Sequence, residues 1–345
     1  MENFTTDNNG LSYQKKIWIK GGIYALIVIL LLFLNATFNV LLLILAGTLI
    51  AIFFRGLSDL ICRKTKWKDG VCLTISIVGA LLLLIGIFWM IGAKVQGQVN
   101  ELSETLPKTV DNAKAWLNKS PLGEKIVEKI SSDKSMNKAE GFAGTFFRST
   151  FGVFGDVYVV LFISIFLTVS PRIYKNGIVQ LIPKNGEAKG EEVLNKLGEN
   201  LKKWLKGQLF SMLVVFVFTA IGLAILGMPL WLVLALMAGL LSFIPNFGPL
   251  LAIIPAVLIA LLDGPEKALM VAGLYILVQL VESNFITPMI QQKLVNTPPA
   301  LIIIAQLLIS PFAGGWGLVM ATPILVIIMV LVQELYIKPK NKSQG

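Results

Sequence analysis

The chain has 345 residues, of which 55% are apolar and 14% are charged, against roughly 25% charged residues in an ordinary soluble domain. The long uncharged runs and the mean hydropathy of +0.76 exclude that class and indicate a multi-pass membrane protein. The chain contains no histidine, which excludes histidine-based triads and hydrolytic zinc sites, and its net charge of +10 must be interpreted relative to the membrane spans.

Residues 1–93 are predicted to form an N-terminal membrane region with three spans. Apolar runs at 17–34 and 38–54 are separated by three more polar residues at 35–37, a spacing that favours a tight helical hairpin. The third span is predicted at 71–93. Lysines and arginines flank the hairpin at both of its ends, so the positive-inside rule places the N-terminus in the cytoplasm.

Two cysteines, Cys62 and Cys72, lie ten residues apart near the start of the third span. Two are too few for a disulfide framework, and the spacing is not that of a Cys-x-x-Cys motif. We interpret both as incidental reduced thiols.

Residues 94–150 form a polar stretch in which nine Lys/Arg (94–148) nearly balance seven Asp/Glu. Near-neutral charge over a long loop is compatible with translocation, and apolar residues recur at steps of three and four. The sequence therefore predicts a small outer-facing helical insert. The fourth span is predicted at 151–170, where it ends before Pro171.

Residues 171–206 contain eight Lys/Arg against four acids, which predicts a cytoplasmic segment. Five apolar positions, beginning at Val193 and ending at Leu205, make one helical face, and Lys202, Lys203 and Lys206 cluster at the end nearest the membrane. Two interpretations stay open. Such a helix lies on the anionic inner leaflet, or it is a solvated connector.

Residues 207–337 are predicted to be the core transport region, and its interruptions are informative. After a fifth span at 207–226, the apolar run 230–262 is 33 residues long, or about 50 Å of helix, which exceeds a bilayer core of roughly 30 Å. Pro245 and Pro249 cut this run. A re-entrant hairpin with its tip at Asn246 and Phe247 fits better than one straight helix.

A second interruption follows the span at 268–286. The apolar run 300–336 is again overlong and is broken at 311–317, a stretch that contains Pro311, Gly314, Gly315 and Gly317. The two broken runs have similar proline spacing and enter the membrane from opposite sides. Inverted repeats with discontinuous helices are recurrent in secondary transporters, although transmembrane helices also tolerate Gly and Pro without any repeat. A basic cytoplasmic tail, 338–345, ends the chain.

Several motifs together resemble those of the autoinducer-2 exporter family of bacterial permeases. They are Gly207-Gln208, Gly227-x-Pro229, Ser242-Phe-Ile-Pro-Asn-Phe-Gly-Pro249, Gln279-x-x-Glu282-x-Asn284, and Gly317 with Ala321-x-Pro323. The resemblance covers nearly the whole chain and is densest from about residue 205 to 335. It implies a multi-pass plasma-membrane protein that self-associates, and export of signal molecules or of sodium or lithium in exchange for protons.

Glu282 is the leading candidate for ion coupling, with Gln279 and Asn284 as polar neighbours. It lies about fifteen residues into a predicted span, where a carboxylate costs roughly 2.5 kcal/mol or more to insert, so it is expected to face protein or a water-filled cavity. Three roles stay open for Glu282: a proton or cation relay, a structural cap for a broken helix, or an interfacial residue.

The two breaks are candidates for the substrate path. Unpaired carbonyls around Pro245, Asn246, Gly248 and Pro249 could bind a polar solute or cation, and the second break could form a flexible gate. Pure architecture and close helix packing explain the same residues equally well.

The sequence thus predicts an all-α polytopic membrane protein with about six full spans, two broken hairpin segments and an outer-facing insert. We expect a permease that exports a small polar solute, signalling molecule or cation by ion-gradient coupling, since no phosphate-binding loop is present. A passive oligomeric pore or membrane scaffold is the alternative. The expected partners are the lipid bilayer, the solute, protons and further copies of the chain. No enzyme activity, cofactor, metal or nucleic acid is expected.

Overall fold

The computed structural model describes residues 13–86, 89, 155–288 and 298–339, and these are almost entirely helical. The elements are α1 Tyr13–Thr65, α2 Asp69–Gly86, α3 Gly155–Val169, α4 Pro171–Gln180, α5 Glu187–Ile225, α6 Trp231–Leu241, α7 Phe247–Leu262, α8 Pro265–Val281 and α9 Pro299–Val332. Five helical segments of this part of the chain are long and apolar enough to cross a membrane, and a sixth exists if α3 and α4 are one span. The all-α polytopic class is confirmed. The predicted insert at 94–150 lies outside the described residues.

Helix α1 is a single helix of 53 residues, about 80 Å long at 1.5 Å per residue. The hairpin turn predicted at 35–37 is therefore wrong. No glycine or proline lies between Gly22 and Gly47, so three mildly polar residues do not interrupt the helical hydrogen bonds. The basic residues at the two ends of this region now lie at opposite ends of one helix. The cytoplasmic placement of the N-terminus, which depended on the hairpin, stays a prediction.

The two cysteines are bonded to each other, which corrects the interpretation as reduced thiols. Cys62 lies in the last turn of α1 and Cys72 in the first turn of α2. The connection at 66–68 reverses the chain, with Lys66 at φ +56°, and brings the two Cα atoms to 5.7 Å. A spacing of ten residues did not reveal the pair because only the tight turn makes it close.

The fourth predicted span, 151–170, corresponds to α3, which ends at Val169, next to the predicted end. Ser170 and Pro171 separate α3 from α4, and the two helices meet at 88°. Pro171 lacks the amide hydrogen and blocks helical geometry in the preceding turn, so the direction changes there.

Helix α5 joins the predicted cytoplasmic helix and the fifth span into one helix of 39 residues. Its apolar face does not lie free for a lipid leaflet or solvent. Leu201, Trp204 and Leu205 are 4–6% exposed and pack with residues of α1 and α9. Tertiary contacts thus cover much of the face that periodicity alone left unpartnered, and the cytoplasmic placement of 171–206 stays a prediction.

Two apolar clusters meet along α5. The first joins the C-terminal half of α5 to α6, α7 and α8 and includes Leu223, Leu234 and Val271. The second joins the N-terminal half of α5 to α1, α3 and α9 and includes Leu49 and Met320. Since both clusters use the same helix, α5 fixes the broken helices of the core against the N-terminal region.

One end of the described structure collects the basic segments, and we call it the basic side. Lys202 of α5 pairs with Asp59 of α1 at 3.0 Å, and Lys189 of α5 pairs with Glu334 at the end of α9 at 3.5 Å. Arg55 of α1 donates to the carbonyl oxygen of Thr168 near the end of α3 at 2.8 Å. The ends of α1, α3 and α9 and the start of α5 therefore share one face.

Candidate functional site

The first break separates α6 from α7 by five residues, 242–246. Asn246 adopts φ +67°, outside helical geometry, and Pro249 lies in the first turn of α7, where the missing amide hydrogen is tolerated. A Cβ added at Gly248 would overlap the backbone carbonyl of Leu241. In a continuous helix these two residues would be about 10 Å apart along the axis, so the chain folds back here. The predicted break in the apolar run is confirmed, and its re-entrant position in the membrane stays a prediction.

Two buried glutamines bind carbonyl groups at this break, and one of these carbonyls, that of Pro245, also accepts from the backbone amide of Phe247 at 2.8 Å. Gln208 of α5 donates from Nε2 to the carbonyl oxygen of Ser242 at 2.7 Å, and Gln306 of α9 donates to that of Pro245 at 2.8 Å. The relative exposures of Gln208 and Gln306 are 9% and 0%. Carbonyls without partners are costly in an apolar medium, so the glutamines stabilise the break from two sides.

Glu282 lies directly after α8, at the start of a single π-helical turn, Glu282–Ile286. Such turns are often found at functional sites. Its Oε1 atom accepts a hydrogen bond from the Oγ atom of Ser211 at 2.6 Å, and Ser211 is 4% exposed. Ser211 follows Gln208 by three residues, so one face of α5 contacts both the first break and Glu282.

Gln279 and Asn284, predicted as polar neighbours of Glu282, donate hydrogen bonds within their own helical segment in the described part of the chain. Gln279 donates to the hydroxyl oxygen of Ser283 at 3.2 Å, and Asn284 donates to the carbonyl oxygen of Leu280 at 2.8 Å. Asn284 is exposed. The structure therefore joins Glu282 to Ser211 of α5 and does not join it to either amide by a hydrogen bond.

Two further buried hydroxyl groups lie on α5 and α8. Thr219 and Tyr275 have no hydrogen-bond partner for their hydroxyl oxygens in the described part of the chain. Helices α5 and α8 are antiparallel, since Lys267 contacts the carbonyl of Gly227 at one end and Glu282 contacts Ser211 at the other. Thr219 and Tyr275 are thus at similar heights, about two turns from Glu282. Unpaired buried polar groups require an explanation, and function is one.

The second break lies within α9. Gly314 has φ +54° and ψ −133°, a conformation that interrupts the helix and that residues with a Cβ rarely adopt. A Cβ added at Gly317 would lie 2.7 Å from the carbonyl oxygen of Ile309, although eight helical residues span about 12 Å. The chain therefore folds back at this break too. Pro311 and Gly315 are exposed beside it.

A tryptophan connects the second break to α3. Trp316 donates from its indole Nε1 atom to Oδ2 of Asp156 at 2.7 Å. Asp156 thereby has a partner 160 residues away in the sequence. Asp156 is the second residue of α3, so the second break is anchored to the N-terminal half of the molecule.

Sequence reasoning missed Gln306, Ser211, Thr219 and Tyr275. A signal was present for Gln306, which is the one side-chain amide between Pro299 and Val332. Buried amides in an apolar run need partners, so its isolation indicated a contact with another segment. The serine, threonine and tyrosine gave no comparable signal, because such residues are common in transmembrane helices.

Comparisons with known proteins find similarity to bacterial transport proteins. The chain is 26% identical over 275 residues to the "Putative transport protein YueF" of Bacillus subtilis (strain 168), which covers 74% of each chain. It is 21% identical over 287 residues to the "AI-2 transport protein TqsA" of Escherichia coli (strain K12), covering 81% of this chain and 82% of that one. The sequence profile of the AI-2E family transporters matches residues 23–337. The chain, a multi-pass protein of the bacterial membrane, therefore belongs to the AI-2E transporter family.

Proposed function

We propose that this protein exports a small polar solute, a signalling molecule or a cation across the bacterial plasma membrane, and that an ion gradient drives the export. The observation on which this rests is the hydrogen bond between Glu282 and Ser211, beside a broken helix whose carbonyls are bound by Gln208 and Gln306. A carboxyl group within an apolar helix bundle is costly unless it serves the structure or binds an ion or proton.

The contacts of Glu282 favour coupling over simple capping. Its hydrogen bond goes to a neutral hydroxyl group, and no lysine or arginine of the described residues lies within ion-pair distance of its carboxylate. A carboxyl group without a fixed positive partner can gain and lose a proton or cation during a cycle. Ser211 can donate to the charged form and accept from the protonated form, so it supports both states.

Thr219 and Tyr275 extend the polar groups of α5 and α8 toward the far end of the pair. Both hydroxyls are buried and lack hydrogen-bond partners among the described residues. We infer that they form part of the route by which protons or solute reach Glu282. The exposed Asn246 and the two breaks would line the remainder of that route, with Pro245, Gly248 and Pro249 at the first and Pro311, Gly314, Gly315 and Gly317 at the second.

The paired breaks support an inverted repeat. In each, a glycine after the break approaches a carbonyl of the arm before it, Gly248 at Leu241 and Gly317 at Ile309. Gln306 lies eight residues before Gly314 and reaches the tip of the first hairpin, so the two hairpins overlap. Alternating access by movement of one hairpin against the other is the mechanism that we propose.

The basic side is placed in the cytoplasm by the positive-inside rule. The C-terminus follows α9 and is assigned to the same side. The N-terminus precedes the far end of the single helix α1, so its predicted cytoplasmic placement no longer follows from the flanking charges. Self-association is proposed from family membership. One substrate hypothesis is AI-2, which the name of the Escherichia coli relative mentions. The proposed activity is transport and not catalysis.

The test is flux in sealed proteoliposomes with an imposed pH gradient, against a panel of cations and small polar metabolites. Glu282→Gln is expected to abolish the response of flux to the gradient, because the amide cannot exchange a proton. The matched control is Glu266→Gln, which changes an exposed carboxyl group in the first turn of α8, the helix that precedes Glu282.

Three outcomes are informative. Loss of gradient-driven flux in Glu282→Gln alone supports coupling. Unchanged, pH-independent flux in both variants would indicate a passive pore, and loss of folded protein only in Glu282→Gln would assign the carboxyl group a structural role. Size-exclusion profiles in detergent separate the last outcome from the first.

A further inference from the structure

A groove between α1 and α5 on the basic side has no role in the proposed transport route. It encloses about 120 Å³ and opens on the surface of the protein. Its walls are apolar and include Ile52, Phe53 and Leu60 of α1 with Leu205 and Leu209 of α5. Gly56 leaves its floor open, since an added Cβ would meet nothing within 4 Å.

Two lysines of α5 lie at the charged end of this groove. Lys202 pairs with Asp59 at 3.0 Å across the opening. Lys206, one turn further along α5, is exposed and has no carboxylate within ion-pair distance in the described part of the chain. Lys203 lies outside the groove and pairs with Glu199 at 2.8 Å. Among the described residues, Lys206 is therefore the positive charge at the groove without a carboxylate partner.

The groove lies where both helices pass from charged to apolar sequence. In α1 the charged residues begin at Arg55 after the uncharged stretch 38–54, and in α5 the last charge is Lys206. Such a change marks the boundary between headgroups and hydrocarbon. The apolar walls thus extend toward the bilayer core, and Lys206 lies at the level of the headgroups.

We propose that this groove binds one anionic phospholipid of the basic-side leaflet, with its phosphate at Lys206 and an acyl chain along Ile52, Phe53 and Leu209. The apolar walls match the acyl chain, and Lys206 matches the negative headgroup. A small soluble anion would leave those walls without a partner. The bound lipid fills the space between α1 and α5 and joins the N-terminal region to the core helix.

The test is lipid binding to the detergent-purified full-length protein, counted by native mass spectrometry. The protein is titrated with phosphatidylglycerol or with phosphatidylcholine of the same acyl chains. The wild-type protein is expected to bind phosphatidylglycerol about fivefold more strongly than phosphatidylcholine at one site. This factor is the effect expected of one lysine near an anionic headgroup. Lys206→Gln should remove that preference, and Gly56→Leu should reduce binding of both lipids by filling the groove.

Lys203→Gln is the matched control, because it removes a positive charge from the same helix outside the groove. It should keep the preference of the wild-type protein. An equal loss in Lys203→Gln and Lys206→Gln would overturn the proposal in favour of general surface attraction, as would unchanged binding in Gly56→Leu. Melting curves in detergent confirm that each variant is folded, and Lys206→Arg, which keeps the charge, should keep the preference.

Discussion

The two breaks in the core are held in different ways. The turn at 242–246 is bound from inside by Gln208 and Gln306, two buried amides on two different helices. The break at Gly314 lies among exposed residues and has its side-chain anchor at Trp316, which reaches Asp156 of α3. The comparison indicates that the break at 242–246 forms a fixed hairpin and that the break at Gly314 forms a more adjustable one. In a transporter that alternates between two states, the second break is the better candidate for the moving part.

Gly248 should be the most sensitive position in this comparison. Replacement by Ala places a methyl group against the backbone of Leu241, which no side-chain movement can relieve. We expect loss of most folded protein, measured as the monodisperse fraction after size exclusion in detergent. Gly315→Ala is the control, because its Cβ would meet nothing within 4 Å. Equal yields for the two variants would contradict the fixed hairpin.

Gln306→Leu should have the next largest effect. It removes the amide that donates to the carbonyl oxygen of Pro245, which keeps its hydrogen bond from the backbone amide of Phe247, so the net cost is about 1 kcal/mol. The expected result is a lower melting temperature in detergent, and Gln208→Leu should act similarly through Ser242. In a double-mutant cycle, a coupling near zero would show that the two glutamines stabilise the break independently.

Gly314→Ala should affect flux more than stability. The backbone conformation at φ +54° and ψ −133° disfavours a Cβ by about 1–3 kcal/mol, but nothing near the residue obstructs the methyl group. We expect a small drop in melting temperature together with a clear change in flux. A change in stability without a change in flux would argue against this break as the moving part.

Asp156→Asn should be milder still, because an amide oxygen can still accept a hydrogen bond from Trp316. A weaker bond, by about 1 kcal/mol, is expected to alter the rate of transport more than the melting temperature. Asp156→Leu, which removes the acceptor, should enlarge the effect on flux. Equal flux in all three proteins would show that the anchor has no part in transport.

Tyr275→Phe should leave stability unchanged or slightly raised. The hydroxyl is buried with no hydrogen-bond partner in the described part of the chain, so its removal avoids an unpaired polar group. Flux in proteoliposomes should nevertheless fall if the hydroxyl contributes to the route toward Glu282. Normal flux in a variant of equal stability would remove Tyr275 from that route.

Several features could be predicted from local sequence. Prolines and glycines in the sequence predicted the positions of both breaks, and Pro171 predicted the end of α3, because these residues directly change the dihedral angles that the backbone can adopt. The predicted hairpin at 35–37 was wrong because mild polarity does not interrupt a helix. The candidate site was anticipated only in part. Glu282 is conspicuous as a carboxylate in an apolar run, whereas Ser211 became relevant only when α5 was placed beside it.

The sequence by itself determined the membrane class, the helical content and the positions of the breaks, since hydropathy and backbone chemistry are local properties. Tertiary structure decided which groups meet. It brought Gln306 to Pro245, Trp316 to Asp156 and Cys62 to Cys72, and it covered the amphipathic face of α5. In an apolar helix bundle each buried polar group must find a partner, and which partner it finds depends on packing between distant segments.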